Sequence, residues 1–75
     1  MEREKDRDKF VELAEKRVSR AIKDIRLIAN LSNKSNYSYT DEDVRKIIRA
    51  LDNEVKKLKQ RFESHGVQDE VVFKL

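Results

Sequence analysis

The sequence lacks the residues that usually cross-link a small domain. It contains no cysteine, which excludes disulfides and thiolate zinc sites, and its single histidine, His65, cannot form a zinc site with histidine alone. In a chain of 75 residues, a single core rarely supplies more than about 3–5 kcal/mol without such a cross-link. The chain therefore has no covalent or metal staple, and its missing cysteines fit a reducing compartment.

Helix breakers are also nearly absent. Proline does not occur, glycine occurs once, at Gly66, and hydrophobic residues make up 37% of the chain, which favours long helices over disorder. No apolar run reaches the roughly 18 residues of a membrane span, and the charged stretch MEREKDRDKF has no signal-peptide core. We expect a cytoplasmic protein that does not bind membranes, since its helices lack tryptophan and have the spacing of helix–helix contacts.

Groups that carry out catalysis are scarce. There is no Cys–His pair and no glycine-rich phosphate loop, and only His65 could act as a base near neutral pH. Asp41 and Asp43 in the stretch TDED are better explained as helix caps, because their spacing is not that of a calcium loop. We therefore expect no enzymatic activity, no metal, no cofactor and no small-molecule substrate.

Apolar residues recur at helical spacing in two segments, about residues 5–31 and about residues 41–65. In the first segment the stripe consists of Val11, Ala14, Val18, Ala21, Ile25 and Ile28, and it is widened by Leu13, Ile22, Leu27, Ala29 and Leu31. In the second segment it consists of Val44, Ile47, Ile48, Leu51, Val55, Leu58 and Phe62. This pattern predicts an all-α fold, a two-helix antiparallel hairpin domain over residues 1–66.

The second helix has clear start and stop signals. Thr40 can cap its free N–H groups, and Asp43 can complete a capping box in place of the usual glutamate. Tyr39 and Val44 occupy the positions of a hydrophobic staple. Gly66 can adopt the left-handed conformation that ends a helix, so we predict that the second helix ends there with a Schellman cap.

The connection NLSNKSNYSYT, residues 30–40, contains three Asn-x-Ser triplets. They fit the N-glycosylation pattern, but that pattern matters only in a secreted chain. Asn and Ser side chains stabilise turns, so we interpret the triplets as the bend of the hairpin. Asn33 and Tyr37 are the candidate functional residues of this loop. The tail, residues 67–75, could form a strand, fold back onto the helices, or be a disordered docking peptide.

The apolar stripes are too wide for one partner helix, so part of each stripe would remain exposed to solvent in a single hairpin. We expect a homodimer of hairpins that forms a four-helix bundle, and a different protein partner is the alternative. The association face consists of Ile22, Ile25, Leu27, Ile28, Ile47, Ile48, Leu51, Val55 and Leu58. The predicted function is that of a small interaction or regulatory module acting through helix–helix association.

Nucleic-acid binding is the alternative function. Candidate phosphate contacts are Arg20, Lys23, Arg49, Lys56 and Lys57. The net charge is only +3, and acidic and basic residues alternate at the four-residue spacing of ordinary helix-surface ion pairs. The expected pairs are Glu12–Lys16, Asp41–Arg45, Glu42–Lys46 and Asp52–Lys56. We therefore regard nucleic acid as a secondary hypothesis.

Residues 10–62 carry the patterns F-x-x-L-A-x-x-R, I-R-L-I-x-N-L-S-N and Y-x-Y-T-x-x-D-V. In these the chain resembles a group of small uncharacterised bacterial proteins. That group has no established activity, so the resemblance implies no reaction and no site. It implies a defined, hydrogen-bonded bend formed by Arg26, Asn30, Asn33, Tyr37 and Tyr39, and ordered loops are where function tends to lie.

Overall fold

The computed structural model describes residues 3–65 and is all-α within that range. Helix α1 covers Arg3–Ala29, a short 3-10 helix covers Asn30–Ser32, and helix α2 covers Asp41–Glu63. The prediction of an all-α chain with two long helices is confirmed. The tail, residues 67–75, and Gly66 lie outside the described residues. The described chain divides into two units between Ser38 and Tyr39.

The first unit is dominated by α1, which has 27 residues and is about 40 Å long at 1.5 Å per residue. Its sequence holds neither glycine nor proline, so no residue interrupts the backbone hydrogen bonds. The helix tightens into the 3-10 turn after Ala29, two residues before the predicted end, and the chain leaves helical geometry at Asn33 with ψ 100°. Tightening of this kind is a common way to close the last turn.

Asn33 organises the bend that follows. Its side-chain Oδ1 accepts a hydrogen bond from the Ser35 N–H at 3.0 Å. Its carbonyl oxygen accepts from the N–H groups of Asn36 at 3.1 Å and Tyr37 at 3.0 Å. Asparagine suits this role because its short amide reaches the backbone two residues ahead. A hydrogen-bonded bend is therefore present, with Asn33 as its anchor and Tyr37 taking part through its backbone N–H. Of the other residues expected in it, Arg26 and Asn30 lie in the helical segments before the bend.

The second unit begins with the predicted cap of α2. The Thr40 Oγ1 accepts a hydrogen bond from the Asp43 N–H at 3.1 Å, and an Asp43 carboxylate oxygen accepts from the Thr40 N–H at 2.9 Å. These reciprocal bonds form a capping box, so this prediction is confirmed. The helix then has an acidic first turn beside the positive end of its dipole.

The end of α2 corrects the predicted cap. The helix stops at Glu63, and His65 takes the left-handed conformation, with φ 56°, that we expected at Gly66. The His65 N–H donates to the Phe62 carbonyl at 3.1 Å, which is the inner bond of a Schellman motif. Histidine is among the non-glycine residues that enter this region most often. The helix thus ends two residues before the predicted residue 65, and the prediction for Gly66 itself lies outside the described residues.

Candidate functional site

The apolar residues of α2 lie in one narrow stripe, the α2 seam. At 100° per residue they fall within an arc of about 100°. The seam consists of Val44, Ile47, Ile48, Leu51, Val55, Leu58 and Phe62. None of them is buried: Leu51 is half-buried, while Ile48 is 51% and Val55 is 59% exposed. The predicted α2 association residues are therefore brought together on one accessible face.

The main apolar stripe of α1, the α1 face, is slightly wider. It spans an arc of about 120° on a regular helix and comprises Val11, Ala14, Val18, Ala21, Ile22, Ile25 and Ile28. No residue of α1 is buried. An apolar arc of this width is expected for a helix that packs into a bundle, and it is wider than the seam of a simple coiled coil.

Leu27 does not belong to the α1 face. It lies about 160° round the helix from Ile25 and is 60% exposed. Arg20 and Lys23 lie on either side of it in projection along the helix axis. We had expected Leu27 to widen the apolar stripe, but regular helical geometry places it in a separate patch on the polar side. The α1 face is therefore built without Leu27.

The side of α2 opposite its seam is the α2 basic face. Its members lie within an arc of about 120° at 100° per residue, and they are Arg45, Lys46, Arg49, Asn53, Lys56, Lys57 and Gln60. They span about 22 Å along the axis. Asp52 and Glu54, the carboxylates between them in sequence, lie on the two flanks. Between residues 45 and 60 the face therefore holds five cations, two amides and no carboxylate, while Glu42 and Glu63 lie in the same arc one turn before and one turn after this segment.

The ion pairs of α2 differ from those expected. The predicted Glu42–Lys46 pair forms at 3.9 Å. Two unpredicted pairs form as well, with Lys57–Glu54 at 3.4 Å and Lys59–Glu63 at 4.0 Å. The predicted pairs Glu12–Lys16, Asp41–Arg45 and Asp52–Lys56 do not occur within residues 3–65. Exposed pairs gain at most about 1 kcal/mol, so small geometric preferences decide which of them form.

As a consequence, three cations of the α2 basic face have no acidic partner among the described residues: Arg45, Arg49 and Lys56. The structure thus groups the predicted phosphate contacts Arg49, Lys56 and Lys57 and adds Arg45 and Lys46. We did not predict this grouping from the sequence. The spacing of three and four residues that links positions 46, 49, 53, 56 and 60 would have indicated it.

The remaining phosphate candidates, Arg20 and Lys23, lie in the first unit. They are exposed, about 60° apart round α1, and neither forms an ion pair with a described residue. Acidic Asp24 follows directly in sequence. These cations belong to a mixed surface and do not form a separate basic face on α1.

The loop candidates have different surroundings. Asn33 is engaged in three hydrogen bonds that shape the bend, so its role is structural. Tyr37 contributes its backbone N–H to that bend and leaves its side chain 49% exposed. Tyr39 and Val44 occupy the staple positions, with Tyr39 half-buried. The exposed ring of Tyr37 is the accessible aromatic group of the bend.

Two further features bear on function. Among residues 3–65, no group of three or more His, Asp or Glu side chains is arranged to hold a metal ion. Neither α1 nor α2 contains an apolar stretch of the length that a bilayer crossing requires.

Comparisons with protein-family models, with curated proteins and with solved structures gave no match. The surfaces of α1 and α2 are therefore the candidate functional sites.

Proposed function

We propose that the chain is a non-enzymatic association module in which two copies join through their apolar helix faces. The observation that carries this proposal is the α2 seam, a long apolar stripe in which no residue is buried. Contiguous apolar surface of this kind usually marks an interface. We place the association in the cytoplasm, the compartment that the sequence analysis predicts.

The energetics of α2 support a partner for the seam. Most of the stability of a helix in a protein comes from packing its apolar face rather than from intrinsic propensity. Complete burial of a Val, Leu, Ile or Phe side chain gains about 1.5–3 kcal/mol, and most seam residues retain about half of their exposed surface. Covering the seam would therefore add several kcal/mol, a large amount beside typical domain stabilities.

The spacing of the apolar residues supports other helices as that cover. The α2 seam contains steps of four and three from Val44 to Phe62, and the α1 face contains the same steps from Val11 to Ile28. This is the repeat that places side chains between those of a neighbouring helix. We propose that each chain pairs α1 with α2 as an antiparallel hairpin and that two hairpins form a four-helix bundle.

A second copy is the simplest partner, because two-fold pairing is the commonest closed assembly and needs no other gene product. The bundle would enclose the α2 seam and the α1 face of both copies and would leave the α2 basic face outside. A different helical protein could cover the same surfaces. Such a protein would leave the purified chain monomeric, so the two arrangements differ in a measurable mass.

The test is a pair of substitutions that introduce the same charge on opposite sides of α2. In the Leu51→Asp variant a carboxylate enters the seam, and in the Asn53→Asp variant it enters the α2 basic face. We expect Leu51→Asp to abolish the dimer in sedimentation velocity and to lower the thermal midpoint sharply, because it would bury an unpaired charge. Asn53→Asp should remain dimeric. Equal behaviour of the two variants would refute association through the seam.

A further inference from the structure

The α2 basic face has a use beyond helix association: we propose that it binds the phosphate backbone of a nucleic-acid duplex without reading its sequence. The face is separated from the α2 seam by half a turn of the helix, so a bundle that covers the seam leaves these cations accessible. Its five cations and two amides occupy about 22 Å of one continuous helix. The binding surface is therefore a rigid row and not a loop.

The residue types of the face are those that contact phosphate. Arginine, lysine, asparagine and glutamine are among the side chains that donate hydrogen bonds to phosphate oxygens in protein–DNA complexes. Every member of the α2 basic face is one of these four types. Arg45, Arg49 and Lys56 have no acidic partner among the described residues, so they can meet phosphates without first breaking an ion pair.

Duplex nucleic acid fits this surface better than other polyanions do. A duplex carries one negative charge per roughly 1.7 Å of axis, so a row of about 22 Å faces many phosphates. Single strands are held by stacking on aromatic side chains, and Phe62, the aromatic residue of α2, lies in the seam. The positive charge is spread along the whole row, and neutralisation of phosphates by such a row does not depend on base sequence, so we expect contacts to the backbone.

Anionic lipid fits less well because of the direction of the charges. A helix that lies on a bilayer inserts its apolar side and keeps cations at the level of the headgroups. In α2 the cations lie opposite the apolar seam. If the seam were inserted into the bilayer, the basic face would therefore point away from the headgroups. Acidic proteins lack the regular charge density of a duplex. Both remain distinguishable outcomes in the experiment.

The experiment measures binding of the full chain to a 30-base-pair mixed-sequence DNA duplex and to the matching RNA duplex by fluorescence anisotropy. We expect binding at 50 mM salt that is insensitive to base sequence. A plot of log affinity against log salt should have a slope of about −2.7 to −4.5, since three to five phosphates at about −0.9 each are neutralised. Between 50 and 200 mM salt the affinity should then fall by about 40- to 500-fold.

The decisive comparison uses two double variants that each remove two positive charges from the net +3. In Arg49→Gln/Lys56→Gln the loss lies on the basic face. In Lys59→Gln/Arg61→Gln the lost charges lie outside the basic face, each about 100° round the helix from Gln60. We expect the first variant to lose at least about tenfold in affinity at 50 mM salt and about two units of slope. The second should keep the slope of the unmodified chain.

Several results would overturn the proposal. No binding to either duplex at 50 mM salt would do so, and so would equal losses in the two double variants, because diffuse net charge would then explain the attraction. Equal or tighter binding to poly-glutamate, or to vesicles with 30% phosphatidylserine, would assign the face to an acidic protein or a membrane. Sedimentation of both variants at one concentration verifies that their assembly is unchanged.

Discussion

The two helices are similar in length but divide their surfaces differently. In α2 every large apolar residue lies in the seam, and the opposite side holds the basic face. In α1 most apolar residues form a wider face, and Leu13 and Leu27 lie apart from it, on either side of Arg20 in projection along the axis. A surface divided as in α2 can serve an apolar and an anionic partner at once, because the two partners do not compete for the same side. The polar side of α1 is mixed and offers no such second surface.

The largest expected effect contrasts a leucine of the α2 seam with a leucine of the α1 polar side. Leu51→Ala should lower the free energy of unfolding by about 2–4 kcal/mol, since it leaves a cavity in the bundle. Leu27→Ala should cost less than about 0.5 kcal/mol, because the side chain stays exposed. Urea unfolding followed by circular dichroism measures both. Equal costs would show that the polar side of α1 also packs against a partner.

The next effect concerns the start of α2. Thr40→Ala removes one bond of the capping box and should cost about 1 kcal/mol. Thr40→Ser keeps the hydroxyl oxygen and should restore most of that loss. Urea unfolding of the two variants, with Ser38→Ala as a nearby control, tests the role of the Oγ1 atom. A serine variant as unstable as the alanine variant would assign the effect to the lost methyl group.

The end of α2 should respond in the opposite direction. His65 has φ 56°, where a residue with a Cβ atom pays a conformational cost of about 1 kcal/mol that glycine avoids. We expect His65→Gly to raise stability by about 0.5 kcal/mol, after the greater freedom of glycine in the unfolded chain is counted. Thermal unfolding at low salt shows whether stability rises or falls, and His65→Asn should leave it nearly unchanged. A clear loss of stability in the glycine variant would mean that the imidazole makes a contact of its own.

The smallest effect concerns the exposed ion pairs on the side of α2. The Lys57–Glu54 pair spans 3.4 Å with both side chains mostly exposed. Glu54→Gln should therefore change the free energy of unfolding by less than about 0.5 kcal/mol at low salt. The difference should vanish at 1 M salt, where screening is strong. A loss above about 1 kcal/mol that persists at high salt would show that the pair is shielded from solvent in the assembly.

Much of α2 could be predicted because its signals are local. Thr40 and Asp43 stand at capping-box spacing, and the steps from Val44 to Phe62 follow the helical period closely. The end of the helix was predicted two residues too late, at about residue 65 instead of Glu63, because helical spacing alone does not fix where the last turn stops. The position of Leu27 could have been found by projecting α1 at 100° per residue.

The ion pairs of α2 could not be predicted in the same way. Glu42–Lys46 formed, but Asp52–Lys56 did not, although their spacing is identical. Differences of a few tenths of a kcal/mol among exposed rotamers decide such pairs, and sequence spacing does not resolve them. The α2 basic face, in contrast, could have been found from the spacing of three and four between its members. The partner is also unspecified by spacing, because an apolar seam accepts many helices of similar shape.

The most direct test of the central claim is sedimentation equilibrium of the unmodified chain over a hundredfold range of concentration. If two copies cover each other's apolar faces, the fitted mass should be twice the 9.0 kDa of one chain at high concentration and should fall toward 9.0 kDa on dilution. A folded chain that keeps the mass of one copy over the whole range would contradict self-association through the α2 seam and the α1 face.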